Sequence, residues 1–175
     1  TIPATARLVG NTARTFTGVT VAGTLTHTSN TNVSSTVYKL DYTINGDLTI
    51  SSGGAVNADE KGYQHAEGPG QGTDGTGTGG GGYGGEGGTG LSYPTEYLGG
   101  GTYGSLKQPV DPGSGAGMYN SYSSLGGSGG GAVKLTVSGT TSLSGNISAN
   151  GQNSPGSYTG GGSGGSVWLA TGTLS

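Results

Sequence analysis

"GGGGYGGEGGTG", residues 79–90, carries nine glycines in twelve positions. From Gly81 it reads GGY-GGE-GGT-G, a triplet with one side chain in every three residues. Residues 126–131 read GGS-GGG and residues 161–166 read GGS-GGS. Polyproline II geometry has about three residues per turn and no internal hydrogen bonds. One glycine helix of this kind is unstable in water, because glycine loses the most backbone entropy on ordering. Several side by side differ, since two bare faces let neighbouring backbones approach and exchange N–H···O=C bonds. The spacing predicts a bundle of extended glycine helices with contacts at Gly84, Gly87, Gly129 and Gly164. Tyr83, Glu86, Thr89, Ser128, Ser163 and Ser166 are expected to face outward. Gly/Ser tracts are ordinarily flexible linkers, and three triplet runs in one chain argue against that.

Composition points the same way. Glycine is 43 of 175 residues, charged residues are 9% and hydrophobic residues 29%. So little apolar area is available that backbone hydrogen bonding must carry an unusual share of the order. A net charge of −3 is too small for disorder by self-repulsion. There is no cysteine, which excludes a disulfide framework and a zinc–thiolate site. No apolar run approaches the roughly 20 residues of a membrane span. Six Lys and Arg without a basic cluster argue against a nucleic-acid partner. The start at Thr1, without Met or signal peptide, is read as a processed or excised piece.

Outside the glycine runs the text is that of strands. Residues 1–8 alternate polar and apolar; Phe16, Val19, Val21, Leu25, Ile44, Leu48, Ile50 and Val56 follow, with glycine, asparagine and serine between. No window shows a capped helical period, so negligible helix is expected. The chain reads as a single domain over residues 1–175. An N-terminal strand lies in 1–16, β text in 17–61 and 132–175, and a Gly/Tyr-rich insertion in 62–131. The β text repeats: "VAGTL" (21–25), "INGDL" (44–48), "VSGTTSL" (137–143) and "LATGTL" (169–174) share one plan. "GGSGGGAVKL" (126–135) matches "GGSGGSVWL" (161–169), and "GGAVNAD" (53–59) matches "GNISANG" (145–151). Gly23 and Gly46 are 23 residues apart, near one coil of a parallel β-helix. The expected fold class is all-β: a parallel β-helix-like solenoid whose inserted Gly-rich loops form a polyglycine/polyproline-II bundle.

"YKLDYTINGDLTISSGGAVNADEKGY", the Gly-rich stretch, "GGAVKLTVSGTTSLSGNISANGQ" and "GGGSGGSVWLATGTLS" together resemble the glycine-rich β-helical repeats of very large secreted bacterial surface proteins. The resemblance covers roughly residues 17–175. It implies an extracellular or cell-surface, structural or adhesive part, and brings no catalytic residues.

Candidate chemistry is sparse. "GQGTDGTGTGGGG" (70–82) has one Asp, with Thr76 where a calcium nonapeptide needs an apolar residue. Asp59, Glu60, Lys61, His65 and Glu67 form the densest polar cluster; paired carboxylates could cleave glycosides, but a solvated turn is the plainer reading. His27, in "TLTHT", reads as an inward-facing or edge histidine rather than a metal ligand. The tyrosines, including Tyr63, Tyr83, Tyr93, Tyr97, Tyr103, Tyr119, Tyr122 and Tyr158, could cover the glycine bundle or stack on sugars. Asn32 (N-V-S) and Asn146 (N-I-S) fit the glycosylation pattern. No catalytic, cofactor or metal residue is assigned and the chain is not read as an enzyme.

Assembly is read from the two ends. Ile2, Ala4, Ala6 and Leu8 form an apolar stripe without a hairpin partner nearby, and Val167, Leu169 and Leu174 form an uncapped final coil. Residues 1–9 are therefore expected to dock on a neighbouring copy, building a head-to-tail homopolymer. The expected function is a structural subunit of an extracellular filament or matrix. The alternative is a ligand-binding adhesin repeat with extracellular glycans as partners.

Overall fold

Wherever glycine content drops and β-branched residues recur at every second position, the chain pairs into strands. The computed structural model describes residues 1–32, 36–120 and 124–175, and no helix occurs among them. In chain order the strands are β1 (Arg7–Val9), β2 (Arg14–Phe16), β3 (Val19–Val21), β4 (Thr24–Thr26), β5 (Leu40–Ile44), β6 (Leu48–Ile50), β7 (Ala55–Asn57), β8 (Gly90–Ser92), β9 (Thr95–Tyr97), β10 (Ala132–Leu143), β11 (Asn146–Ser148) and β12 (Ser166–Leu174). A four-stranded parallel sheet runs β1-β4-β7-β11. A six-stranded sheet runs β2-β5-β10-β6-β3, with β12 also on β10. Strands β8 and β9 form a separate antiparallel hairpin.

The twelve-residue β10 organises the larger sheet. Its first half, Val133–Val137, pairs with β5, and its second half, Thr141–Leu143, pairs with β6. A register shift between Val137 and Thr140 separates the halves. There the Gly139 N–H donates to Gly46 O (3.1 Å) and the Thr140 N–H to Asp47 Oδ1 (2.7 Å), so the bulge is fastened by the turn that joins β5 to β6 in the same sheet.

The chain is all-β, but the expected parallel β-helix solenoid does not form. The six-stranded sheet is a curled half-barrel, and parallel sheets coexist with an antiparallel hairpin. No coil length repeats. Paired residues are 17 apart between β1 and β4 (7 and 24), 31 between β4 and β7 (24 and 55), and 91 between β7 and β11 (55 and 146). The spacing of Gly23 and Gly46 is not a pairing register, since Val21 lies opposite Ile50. The physical reason is the Gly-rich body of residues 62–131. It separates β7 from β10, and a parallel partner needs only to be brought alongside, whatever length of chain lies between.

The expected departure of residues 1–9 is likewise overturned. Ile2 pairs with Val21 of its own chain through Ile2 N–H to Thr20 O (2.8 Å) and Ala22 N–H to Ile2 O (2.9 Å). Its side chain is 7% exposed within the core, and β1 lies on β4. No hairpin partner was needed, because the partner is parallel.

The core draws on both parallel sheets. Leu25 and Val56 from the four-stranded sheet meet Val21, Leu40, Tyr42, Ile44, Leu48, Ile50, Val133, Leu135 and Val137 from the six-stranded one. Alternation decides which side chains enter: in β5, Leu40, Tyr42 and Ile44 are buried while Thr43 is exposed. The register stacks Leu40 on Val133, Tyr42 on Leu135 and Ile44 on Val137. Full burial of each aliphatic side chain is worth about 1.5–3 kcal/mol. Leu135 is 1% exposed and Leu174 is 61% exposed. Leu135→Ala is expected to cost about 2–5 kcal/mol in denaturant unfolding, and Leu174→Ala less than about 0.5 kcal/mol.

Candidate interaction surfaces

The Gly-rich region is held by its backbone. In residues 79–82, the N–H groups of Gly79 and Gly82 both donate to one neighbouring segment, at Thr73 O (3.0 Å) and Gly70 O (2.8 Å). Gly80 N–H donates to Gly88 O (2.8 Å) and Gly81 N–H to Gly161 O (3.0 Å). Direction therefore returns after three residues. The same holds in 113–117, where Gly113 and Ala116 both donate into 127–130, at Gly130 O (2.8 Å) and Gly127 O (2.9 Å), while Gly115 donates to Glu67 O (3.0 Å). A strand in a sheet has two neighbours; these segments have more, and the missing side chains make room for them.

Of the expected glycine contacts, two are close and two are open. A Cβ at Gly87 would overlap the Gly80 carbonyl, and one at Gly129 the Gly113 carbonyl. At Gly84 nothing lies within 4 Å of such an atom, and at Gly164 the nearest atom is 4.0 Å away. The triplet marks where side chains are missing but not which segments lie at the rim of the array. The outward set is corrected too. Glu86 and Thr89 are exposed, whereas Tyr83 is buried and Ser166, also buried, donates its hydroxyl to Asp111 O (2.9 Å). The half-buried Ser163 Oγ accepts from Ser114 N–H (2.8 Å).

The tyrosines divide. Tyr83 and Tyr103 meet edge to face at 5.0 Å. A chain of bonds, buried at its start and half-buried at Tyr103, runs from Gly70 N–H to Ser114 Oγ (2.9 Å), from that hydroxyl to Tyr103 Oη (2.9 Å), and on to Pro112 O (2.5 Å). Burial raises the Tyr103 pKa beyond the ordinary phenol range. Tyr119 and Tyr158 stack at 5.8 Å, and Tyr93 is 92% exposed. Tyr122 lies outside the described residues.

The polar cluster is structural glue. Asp59 accepts from Asn150 N–H (2.6 Å), Ser148 Oγ (3.0 Å) and Asn57 Nδ2 (3.2 Å), joining the ends of β7 and β11. Asp74 Oδ1 accepts from Met118 N–H (2.7 Å). Among the described residues no group of three or more His, Asp or Glu is placed to hold a metal ion. Two clamps carried no sequence signal. Buried Asn30 donates through Nδ2 to Tyr38 O and Lys61 O (3.0 Å each) and accepts from Tyr38 N–H (2.6 Å). Ser114 is the second. Asn146 is exposed at the start of β11, while the Ser148 hydroxyl of its acceptor pattern is bound to Asp59. The pattern at Asn32 runs into Val33 and Ser34, outside the described residues.

His27 faces inward and is fully buried. Its Nδ1 donates to Thr28 O (2.8 Å) and its Nε2 accepts from Ala132 N–H (3.2 Å), the arrangement of a neutral ring that ties β4 to the start of β10. Burial lowers its pKa from the ordinary 6.5, outweighing the Thr28 carbonyl, and the nearby Lys61 charge lowers it further.

The expected subunit-contact residues fall into two groups. Ile2 is in the core, Ala6 half-buried, and Ala4 and Leu8 are exposed. Val167 (41% exposed), half-buried Leu169 and exposed Leu174 lie on β12, which among the described residues pairs only with β10 and leaves its other edge unpaired. At the opposite margin of the same sheet β2 has no strand on its outer side among the described residues, while β3 is covered there by Ile2. Beside β12, Trp168 and Ala170 line a shallow depression with Lys134, Thr136, Gln108 and Val110. Lys134 pairs with Asp41 at 3.2 Å. No described helix is long and apolar enough to cross a membrane.

No protein-family profile, curated protein or solved structure matches this chain.

Two outcomes are expected. Gly87→Val and Gly129→Val should each cost about 1–3 kcal/mol in denaturant unfolding, by separating paired backbones, and Gly84→Val less than about 0.5 kcal/mol. A depressed histidine pKa contributes stability that is complete above the unfolded value of 6.5 and is lost as pH falls toward the folded one. Melting temperature should therefore drop between about pH 7 and pH 5 in the native protein, and His27→Gln should flatten that part of the profile.

Proposed function

We propose that this chain is a structural module of an extracellular filament or matrix, joining copies of itself head to tail through sheet edges. The observation that carries this is the pair of unlike open margins on one sheet among the described residues: the nine-residue β12 on one side, and the three-residue β2 on the other, where Ile2 already covers the neighbouring β3. Open strand edges recruit strands, and unlike edges give a heterologous contact that repeats rather than closes. Residues 1–9 have no part in this joining, being used within their own chain. Exposed Val167 and Leu174 supply apolar contact along the β12 edge. The extracellular setting is supported by the resemblance to bacterial surface repeats and by the scarcity of charge.

The glycan-binding reading is favoured by a different observation. Trp168 beside Lys134, and the exposed ring of Tyr93, are surfaces on which a sugar could stack.

Sedimentation velocity and negative-stain microscopy across a concentration series test the proposal. Native protein is expected to form filaments of constant width. The double variant Val167→Lys, Leu174→Lys should stay monomeric with an unchanged melting temperature, since both side chains are exposed. Native protein that remains monomeric at millimolar concentration, or a double variant that still forms the same filaments, would overturn the edge-joined reading. Binding of a soluble glycan, abolished by Trp168→Ala, would establish the second.

A further inference from the structure

Hexagonal packing of rods gives each inner rod six neighbours. The segment 79–82 has five. It donates to 70–73, to Gly88 and to Gly161, and its carbonyls at Gly79 and Gly80 accept from Gly117 N–H (3.0 Å) and Gly100 N–H (2.9 Å). Three donor directions and two acceptor directions are filled. The third acceptor direction belongs to the Gly81 carbonyl, which receives no bond among the described residues.

Where the sixth neighbour would lie there is a groove. Gly80 and Gly81 line it together with residues 86–90 and 159–162, and it continues past Tyr83, Gly84, Gly85 and residues 163–165. Along its sides the N–H groups of Gly85 and Gly88, and those of Gly161 and Gly164, have no partner among the described residues. Within each pair the two are three residues apart, the period at which the array repeats. Tyr83, 9% exposed, closes the far part of the groove.

We propose that this groove is a binding site for an extended peptide with glycine at two of every three positions, supplied by another chain. Such a peptide presents carbonyls and N–H groups with a period of three. It can accept from Gly85, Gly88, Gly161 and Gly164 and donate to the Gly81 carbonyl, completing the six. A Cβ at the inward positions of the ligand would hold it off the floor, just as a Cβ at Gly87 would part that segment from Gly80. The site goes beyond the filament reading and shares no residue with the β12 edge.

The test uses the full chain and a capped synthetic peptide of repeated Gly-Gly-Ser triplets, with repeated Gly-Ala-Ser as control. Titration followed by amide hydrogen exchange is expected to show binding of the first peptide and at least about tenfold slower exchange at Gly85, Gly88, Gly161 and Gly164. The alanine-containing peptide should leave those amides unchanged. A Cβ at Gly88 meets nothing within 4 Å and one at Gly164 meets its nearest atom at 4.0 Å, so Gly88→Val and Gly164→Val should melt as the native protein does. Both should bind at least about tenfold more weakly. Gly101→Val, equally open but outside the groove, should bind normally. The double variant at Val167 and Leu174 should also bind normally, which separates this site from filament assembly. No binding at millimolar peptide, equal binding of both peptides, normal binding by Gly88→Val, or protection of these amides by a neutral polysaccharide instead of the peptide would each overturn the proposal.

Discussion

The lateral backbone hydrogen bond between glycine segments is the constraint on which the Gly-rich half of the molecule depends. It forms only where two carbonyl-bearing chains come closer than a Cβ permits. That is why Gly129 faces Gly113 and Gly87 faces Gly80. Glycine is costly to order, at up to about 1 kcal/mol more than alanine per position. The cost is offset because consecutive residues such as Gly79, Gly80 and Gly81 donate to different neighbours, so one segment supports several others. Tyr103, Ser114 and Pro112 then seal one flank with a chain of side-chain bonds that glycine cannot supply.

The two parallel sheets supply what the array lacks, an apolar interior. The halves are not independent. Residues 127–130 donate into the array and run directly into β10, the strand that carries Val133, Leu135 and Val137 into the core. Gly131 N–H donates to Ala58 O (2.7 Å), just past the end of β7, while His27 accepts from Ala132. The junction between the glycine array and β10 is thus fastened from two neighbouring strands of the four-stranded sheet, β7 and β4, within two consecutive residues.

Much of the pairing was written in the sequence as internal likeness. The match of "GGSGGGAVKL" to "GGSGGSVWL" became the register that sets Val133 beside Val167 and Leu135 beside Leu169. The match of "GGAVNAD" to "GNISANG" became the pairing of Val56 with Ile147. "VAGTL" and "INGDL" look equally alike and do not pair, because likeness reports a shared local environment and not adjacency. The solenoid reading failed there: a period was taken from two glycines, although pairing distance is set by whatever chain intervenes. Burial at the margins was illegible for a similar reason. Val167 has the same local text as Val133, yet it is exposed because no further strand covers β12. Asn30 and Ser114 had no legible signal, since a buried polar clamp is defined by partners far away in the chain.

The chain's few charges have a consequence for its response to salt. The ion pair between Lys134 and Asp41 is partly exposed, and such pairs contribute at most about 1 kcal/mol. Nearly all other cohesion described here runs through neutral dipoles at contact distance and through buried apolar surface. Mobile ions screen charges separated by several ångströms and leave such contacts untouched. Charge screening is accordingly expected to change the stability of this fold little, so that a response to concentrated salt would come through its apolar core instead.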